Sequence, residues 1–436
     1  MGSFAKAERL LARLQALGEV GALPGGGVCR LALSQADGAG RDLVCGWMRA
    51  AGLDVIVDGI GNIFGTRPGT QPGPSVMIGS HIDTVATGGI YDGNLGVLAG
   101  LEVVEALDDA GIATLKPITV AAFTNEEGAR FAPDMLGSLV HVGGLDLGTA
   151  LDIVSIDGAR LGDELAAISY AGTAPLGAIR AAAYLEYHIE QGPVLEAEGT
   201  DIGVVEGVQG ISWTEVTLSG RSSHAGATPM RLRHDAGLAA ARIAAGVGEI
   251  VRGIGGDMVG TVGSLKLSPG LVNVIAEKAV LTVDLRHPDE ATLRQAEAKL
   301  AALIATVAAA ETVTASTRTL ARFEPVAFDK ALVGSVEATA RALGLSTRRL
   351  YSGAGHDAQM LARTCPAAMI FVPSVDGLSH NVRELTQPGD IANGLDVLAT
   401  LALDLAGRAN AAVVGISRAN AATGETTDSN ANLKES

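Results

Sequence analysis

The chain reads SVMIGSHIDTVATGGIYDGNLGVLAGLEVVEALDDAG from residue 75 to residue 111. Its first six residues are small or apolar, which is typical of a strand buried inside a sheet. From residue 92 onward apolar residues recur at helical spacing, and Gly111 is a stop signal for that helix. The apolar run ITVAAF at residues 118–123 predicts the next buried strand. Strands and helices therefore alternate, as in an α/β sheet.

Similar apolar runs occur on both sides of this segment. YLEYHIE at residues 184–190 alternates apolar and polar positions, and AMIFVP at residues 368–373 predicts another buried strand. Between them the pattern changes. WTEVTLSG (213–220) and KAVLTVDLRH (278–287) predict strands of a partly exposed sheet, and helical patterns cover residues 235–253 and 289–310.

This middle segment predicts a compact βαββαβ-like unit inserted into a discontinuous main domain. We predict a first part of the catalytic domain at residues 1–210, the inserted domain at 211–328 and the second part at 329–416. The polar residues 417–436 predict a disordered tail.

Composition excludes some classes of function. The chain has 436 residues, 32 basic and 48 acidic side chains and a formal net charge of −16, which argues against a nucleic-acid or anionic membrane surface. Three cysteines do not make a disulfide framework. The first residues predict a charged amphipathic helix without the apolar core of a signal peptide, so we expect a soluble cytoplasmic protein.

Residues that can bind metals follow the predicted strands of the main domain. These residues are His81, Asp83, Asp92, Glu126, Glu127, His188 and His380. Ligands of open α/β sheets bind outside the carboxyl ends of the strands, so these side chains are expected at one edge. Imidazoles with carboxylates favour zinc, manganese, cobalt or nickel over calcium.

The adjacent glutamates Glu126 and Glu127 could have two different roles. Neighbouring side chains at a strand end point in different directions, so one can bind a metal while the other faces a water molecule. A metal-activated water beside a free carboxylate is the arrangement of a hydrolase.

The inserted domain supplies a second set of candidates. His224 lies in the glycine-rich GRSSHAGATPM, Asn273 in PGLVNVIAE, and Arg286 on the polar side of the strand VLTVDLR. Arg286 could clamp a carboxylate with two parallel hydrogen bonds, or it could form an ordinary surface salt bridge. His141, His234 and His287 receive no role.

Several motifs resemble those of known enzymes. GSHIDTV, YDGNLGV and TNEEGARF resemble the metal motifs of dinuclear-metal aminoacylases, carboxypeptidases and carbamoylases. The closer resemblance is to the hydantoinase/carbamoylase branch, which contains N-carbamoyl-L-amino acid amidohydrolases, allantoate amidohydrolases and β-ureidopropionases of that type. It is carried by GNIFGTRPG, FAPDMLGS, EYHIEQGPVLE, VEGVQG, SHAGATPM, SGAGHDAQM and FVPSVDGLSHN.

The resemblance implies a fold and a metal centre. The fold would be a mixed-sheet metallopeptidase-like catalytic domain with a smaller α+β domain for lid closure and dimerisation. Two divalent ions per subunit (Zn, Mn, Co or Ni) would share Asp92. The ligands would be His81, Asp92 and His188 for one ion, and Asp92, Glu127 and His380 for the other.

The resemblance also implies roles in catalysis and in substrate binding. Glu126 would be the general base, Asp83 would orient His81, and His224 would stabilise the oxyanion from across a homodimer. The substrate would be held by Gln191, Asn273, Arg286 and His356, with Asn273 and Arg286 contacting its carboxylate.

The reaction implied is hydrolysis of the carbamoyl C–N bond of an N-carbamoyl-L-amino acid, or of a related ureido acid such as allantoate. One alternative is a dipeptidase or N-acyl-amino-acid hydrolase with the same two-metal site. Another is a metal-stabilised binding protein without turnover, although such a protein would not need Glu126 as a base.

Overall fold

The computed structural model describes residues 5–409, which divide into two compact units. The first unit comprises the chain up to Val204, Lys330–Arg348 and the residues from His356 onward. The second unit comprises Val205–Asp329 and Arg349–Gly355, so residues 211–328 all fall within it. The polar segment predicted at residues 417–436 lies outside the described residues.

The strands, in chain order, are β1 (Asp54–Val57), β2 (Ile63–Arg67), β3 (Ser75–His81), β4 (Ile118–Phe123), β5 (Ala181–Ile189), β6 (Ile202–Val208), β7 (Gly210–Ser219), β8 (Val259–Ser268), β9 (Lys278–His287), β10 (Thr314–Phe323), β11 (Val326–Ala327), β12 (Thr347–Ser352) and β13 (Ala367–Val372).

The α-helices are α1 (Ala7–Gly18), α2 (Gln35–Ala50), α3 (Asn94–Asp109), α4 (Leu136–His141), α5 (Leu147–Leu151), α6 (Leu161–Ala167), α7 (Val194–Glu198), α8 (Ala236–Ile254), α9 (Glu290–Ala310), α10 (Lys330–Ala342), α11 (Asp357–Leu361) and α12 (Pro388–Ala406). Short 3-10 helices cover Met230–Leu232 and Val375–Gly377.

A mixed sheet forms the centre of the first unit. Within this unit, six of its strands lie in the order β1-β2-β4-β3-β5-β13. The central strands β4, β3, β5 and β13 are parallel, whereas β1 and β2 pair antiparallel at one side. Strands β3, β4 and β13 are buried along their whole length, as expected where helices such as α3 and α12 cover a parallel sheet. The predicted α/β class with a mixed sheet is confirmed.

Strand β5 differs from its predicted pattern. Alternation in the sequence indicates one apolar face, made by Leu185, Tyr187 and Ile189, and one polar face. In the structure Glu186 and His188 are as buried as their apolar neighbours. The polar positions are therefore inside the molecule, where an unpaired charge would be costly.

The second unit has a separate core. Its four-stranded antiparallel sheet has the order β10-β7-β9-β8, and α8 and α9 pack against it through a single hydrophobic cluster. Each helix begins at an aspartate cap: Asp235 accepts the amide N–H of Leu238, and Asp289 accepts that of Thr292. The element order β7-α8-β8-β9-α9-β10 is the βαββαβ pattern expected from the sequence.

Among the helices of residues 5–409, none is both long and apolar enough to cross a membrane.

Candidate metal centre

The carboxyl ends of the parallel strands bring the predicted metal ligands together. His81 is the last residue of β3, His188 is next to last in β5, and Glu127 and His380 lie on the loops after β4 and β13. Asp92 lies just before α3. These loops come from four adjacent strands, so one edge of the sheet collects the whole set.

The first group of ligand types consists of His81, Asp92 and His188, all buried, with donor atoms within 4.8 Å of one another. Oδ1 of Asp92 lies 3.1 Å from Nε2 of His188 and 3.7 Å from Nε2 of His81. Two imidazole nitrogens and one carboxylate oxygen therefore face a common point.

The second group consists of Asp92, Glu127 and His380. Nε2 of His380 lies 3.3 Å from Oδ2 of Asp92 and 3.2 Å from Oε2 of Glu127. The two oxygens of Asp92 thus face different groups, which is the geometry of a carboxylate shared between two neighbouring cation sites.

Backbone contacts orient the two buried histidines. Nδ1 of His81 donates to the carbonyl of Asp83 at 2.9 Å, and Nδ1 of His188 donates to the carbonyl of Ile189 at 2.8 Å. The amide N–H of Gly93 donates to Nε2 of His188 at 3.1 Å. Both histidines therefore direct Nε2 toward the centre, and Nε2 is the nitrogen that would bind a metal there.

Asp83 contacts the glutamate turn with its side chain. Its carboxylate accepts the amide N–H groups of Glu126 and Glu127 at 3.2 and 3.3 Å, and it lies 3.9 Å from Nδ1 of His81. The hydrogen bond that orients His81 comes from the Asp83 backbone. The side chain orients the turn that carries the two glutamates.

Glu126 is buried beside both groups without belonging to either. Its Oε2 lies 3.4 Å from Nε2 of His81. Burial raises the pKa of Glu126 well above its usual range, and the negative charges of Asp357 and Glu127 raise it further. A carboxyl group with a high proton affinity beside a metal site has the position of a general base.

The charges of the centre also fit divalent cations. Burial opposes protonation of His188, but the Asp92 carboxylate outweighs it and raises the pKa of His188 to about 9. Hydrogen bonds to Asp92 and Glu127 raise the pKa of His380 to about 11. Buried carboxylates normally have a cationic partner, and a metal would provide one here. The nitrogen and oxygen donors are those that suit zinc, manganese, cobalt or nickel.

Strained backbone surrounds this edge of the sheet. Asn125, Gln191 and His380 have φ values of +56°, +57° and +53°, in the left-handed region that non-glycine residues rarely occupy. Each such residue costs about 1–3 kcal/mol, and such residues cluster at functional sites. Gly93 has a similar φ of +65°, and a Cβ there would lie 2.4 Å from the His81 ring.

Two predicted substrate residues are at the centre. Nε2 of Gln191 donates to Oδ2 of Asp92 at 2.9 Å. The buried His356 ring packs edge-on against His188, with centroids 4.6 Å apart, and burial lowers its pKa well below the usual value. His356 is therefore a neutral imidazole beside the first group.

Three residues missed in the sequence also reach this region. Arg30 is fully buried and donates from Nε to the carbonyl of Ile82 (2.7 Å) and from Nη2 to Oδ1 of Asn94 (2.8 Å). It thereby joins the loops that carry His81 and Asp92. A single arginine in the apolar run VCRLAL was the available signal. The second and third of these residues are Ser379 and Glu384, which lie on the same loop as His380.

The remaining predicted site residues belong to the second unit. His224 is exposed, and its Nδ1 accepts the amide N–H groups of Gly226 and Ala227 at 3.1 and 3.2 Å. Nε2 is therefore the nitrogen that carries the proton in neutral His224, and it can donate a hydrogen bond. The carbonyl of Asn273 accepts the amide N–H of Ala225, so the loops of His224 and Asn273 adjoin.

Arg286 has a partner on its own strand. Its Nη2 lies 2.8 Å from Oδ2 of Asp284, and its guanidinium stacks 5.9 Å from the Trp213 ring. Arg286 therefore forms the salt bridge that the sequence analysis gave as one of its two alternatives. A substrate carboxylate would share the guanidinium with Asp284. Substrate binding by Arg286 and Asn273 stays a prediction.

The three unassigned histidines have local partners. His141 packs against Phe64 and Phe123, His234 contacts the carbonyl of Thr312, and Nδ1 of His287 accepts the amide N–H of Asp289.

Known proteins share this fold and a large part of this sequence. The model of Peptidase family M20/M25/M40 matches residues 77–404, and the chain belongs to this family. An N-carbamoyl-L-amino-acid amidohydrolase of Rhizobium meliloti is 46% identical, covering 92% of this chain and 96% of the relative. An allantoate amidohydrolase of Escherichia coli is 36% identical, covering 89% and 96%.

The solved structures point to one branch of the family. The structure of an amidase of the hydantoinase/carbamoylase family from Burkholderia multivorans matches with a TM-score of 0.90 and 44% identity, covering 92% of this chain and 98% of that chain. The resemblance inferred from the motifs is therefore confirmed.

Proposed function

We propose that this chain is a metal-dependent amidohydrolase that cleaves the carbamoyl C–N bond of an N-carbamoyl-L-amino acid or of a related ureido acid such as allantoate. The observation that carries the proposal is the arrangement of acidic side chains at the sheet edge. Asp92 belongs to both groups of metal-ligand types, while Glu126 lies outside both groups, with its Oε2 3.4 Å from Nε2 of His81. The names of the relatives supply the bond and the substrate class.

Two divalent ions, from among zinc, manganese, cobalt and nickel, would be held by His81, Asp92 and His188 and by Asp92, Glu127 and His380. When bound, they would polarise the substrate carbonyl and lower the pKa of a water molecule. A binding protein without turnover would have no use for Glu126.

Glu126 would take a proton from the attacking water and pass it to the leaving nitrogen. The N–H of Nε2 in His224 would donate to the oxyanion of the tetrahedral intermediate. Asn273 and Arg286 would bind the substrate carboxylate, and Gln191 and His356 would line the site. Products of a carbamoyl substrate would be an amino acid, ammonia and carbon dioxide.

We also propose a homodimer formed largely through residues 211–328, in which each site receives His224 from the partner. Strand β8 supports this proposal, because it is an edge strand whose Val259, Leu265 and Leu267 are 44–48% exposed. Exposed apolar edge strands are natural pairing surfaces.

The function is tested by a substrate panel with the metal-loaded enzyme. The panel contains N-carbamoyl amino acids of both hands, allantoate, N-acetyl amino acids and dipeptides, with ammonia and free amino groups measured separately. We expect ammonia from the carbamoyl-L or allantoate members. Amino groups released from dipeptides or acetyl amino acids, without ammonia from any ureido compound, would support the alternative hydrolase.

A further inference from the structure

Glu384 is a buried carboxylate on the loop after β13, four residues beyond His380, and it is 7% exposed. Its Oε1 accepts the amide N–H groups of Tyr91 and Asp92, both at 3.1 Å. Nearly three hundred residues of chain separate the two partners. Glu384 therefore fixes the backbone at the position where the shared carboxylate begins.

The opposing turn is shaped to admit this side chain. A Cβ on Gly89 would lie 2.1 Å from Oε1 of Glu384, a distance that no real side chain could adopt. Only glycine at this position lets the Glu384 carboxylate reach the amide groups of Tyr91 and Asp92.

Ser379 lies between the carboxylates of Glu384 and Asp92, and its single hydroxyl proton can be donated to one of them at a time. Oγ of Ser379 lies 3.0 Å from Oε2 of Glu384 and 3.0 Å from Oδ2 of Asp92. Nε2 of Gln191 completes the arrangement, 3.2 Å from the same hydroxyl and 2.9 Å from Oδ2 of Asp92. The carboxylate of Asp92 is thus held at its backbone and at the oxygen that faces His380.

We propose that Glu384 is the positioning residue of the metal centre. It holds the Asp92 backbone directly, and it lies within hydrogen-bonding distance of Ser379, whose hydroxyl can donate to Oδ2 of Asp92. In this way it directs Oδ1 toward His81 and His188 and Oδ2 toward His380. It also ties the His380 loop to the Asp92 turn, so both cation sites depend on it. This inference rests on the proposed function in one respect, namely that Asp92 is shared by two ions.

A purely structural role is the competing explanation, since any buried carboxylate that accepts two amide N–H groups stabilises its turn. Glu190 supplies a matched control. It is 9% exposed, and its oxygens accept the amide N–H groups of Val194 and Leu195, both at 2.9 Å. Removing it should destabilise a turn next to Gln191 while leaving the contacts of Glu384 with Tyr91 and Asp92 in place.

The experiment measures Co²⁺ binding to the full-length metal-free protein by calorimetry and by visible absorption. The variants are Glu384→Ala, Glu384→Gln, Ser379→Ala and the control Glu190→Ala. We expect Glu384→Ala to weaken Co²⁺ binding by about 10- to 100-fold, the usual effect of losing a partner that orients a ligand, and to alter the cobalt spectrum. Glu190→Ala should keep wild-type affinity and spectrum.

Glu384→Gln should restore binding to within about threefold of wild type, because its amide oxygen can still accept both N–H groups. Its Nε2 can donate to Ser379, which leaves the serine proton for Asp92. Ser379→Ala should weaken binding less than Glu384→Ala, because it leaves the backbone contacts in place.

Wild-type Co²⁺ affinity and spectrum in Glu384→Ala, or an equal loss in Glu190→Ala, would overturn the proposal. If Glu384→Ala does not fold, the Ser379→Ala variant tests the proposal instead. An unchanged cobalt spectrum in that variant would contradict the positioning role of Glu384. The readout needs no substrate. An enzyme inactive on the whole panel would contradict the proposed function alone, and unchanged cobalt sites would contradict the positioning role alone.

Discussion

The two sets of predicted site residues differ in how firmly the protein holds them. In the first unit, His81 and His188 have side chains 2% and 1% exposed, and backbone carbonyls set their tautomers. In the second unit, His224 and Asn273 lie on exposed loops. The first set is organised before any substrate arrives, as a metal centre requires. The second set is open to solvent, as expected of the substrate-binding and partner-contacting roles proposed for it.

The largest expected effect comes from removing the residue shared by both metal groups. Asp92→Ala should leave the folded protein without either ion and reduce turnover to background, because each group loses its oxygen ligand. His380→Ala should spare the first group more than the second. Elemental analysis that finds two ions still bound to the Asp92 variant would reject the shared role.

Glu126→Gln should separate chemistry from metal binding. The variant keeps the shape but removes the base, so metal content should stay near wild type while turnover falls by roughly two to four orders of magnitude. Parallel measurement of metal content and of the turnover number checks this. Equal loss of both would show that Glu126 is a ligand and that its role and that of Glu127 are exchanged.

His224→Ala tests the exposed set. Loss of one donor to an oxyanion should lower the turnover number by about 10²–10³-fold, with metal content unchanged. A mixing experiment tests whether His224 acts in its own subunit's site or across the dimer. His224→Ala chains are mixed with Glu126→Gln chains under conditions that exchange subunits. If His224 acts across the dimer, activity should return to about a quarter of wild type, since half the dimers carry one intact site. No recovery despite proven exchange would place His224 in its own subunit's site.

The smallest effect is expected for Arg286→Lys. Lysine can keep an ion pair with Asp284 but lacks the bidentate fork, so the fold should be spared while the Michaelis constant rises. A rise of about tenfold or more is expected, since a hydrogen bond to a charged group contributes about 1.5–3 kcal/mol. A neutral amide analogue of the substrate is the control. Equal losses for acid and amide would mean that Arg286 is structural.

Sequence reasoning found the strand-end residues because parallel strands place their carboxyl ends together. That rule predicted the convergence of His81, Glu127, His188 and His380 without knowledge of strand order. It also explains why the glutamate pair stood out, since both residues follow the apolar run of β4 directly.

The partners of the supporting residues could not be predicted from the sequence. Glu384 and Arg30 form hydrogen bonds with backbone groups of loops that are distant in the chain. Every residue has a backbone carbonyl and nearly every residue an N–H, so the sequence does not indicate which of them is the partner. Asp83 shows the same limit: its position was predicted, but its carboxylate binds the glutamate turn while its carbonyl orients His81. Contacts between loops depend on tertiary packing, which periodicity does not describe.

The exposure of His380 allows a chemical reagent to report whether the second cation site is occupied. Its side chain is 51% exposed, whereas those of His81 and His188 are buried. An acylating reagent such as diethyl pyrocarbonate attacks only neutral imidazole, and the pKa of His380 is raised to about 11. At alkaline pH, where part of His380 loses its proton, the reagent should label His380 first among the three, at the nitrogen expected to hold the second ion. Peptide mass spectrometry would then report occupancy of that site directly, because a loaded centre would protect His380 while labelling of the exposed His224 continues.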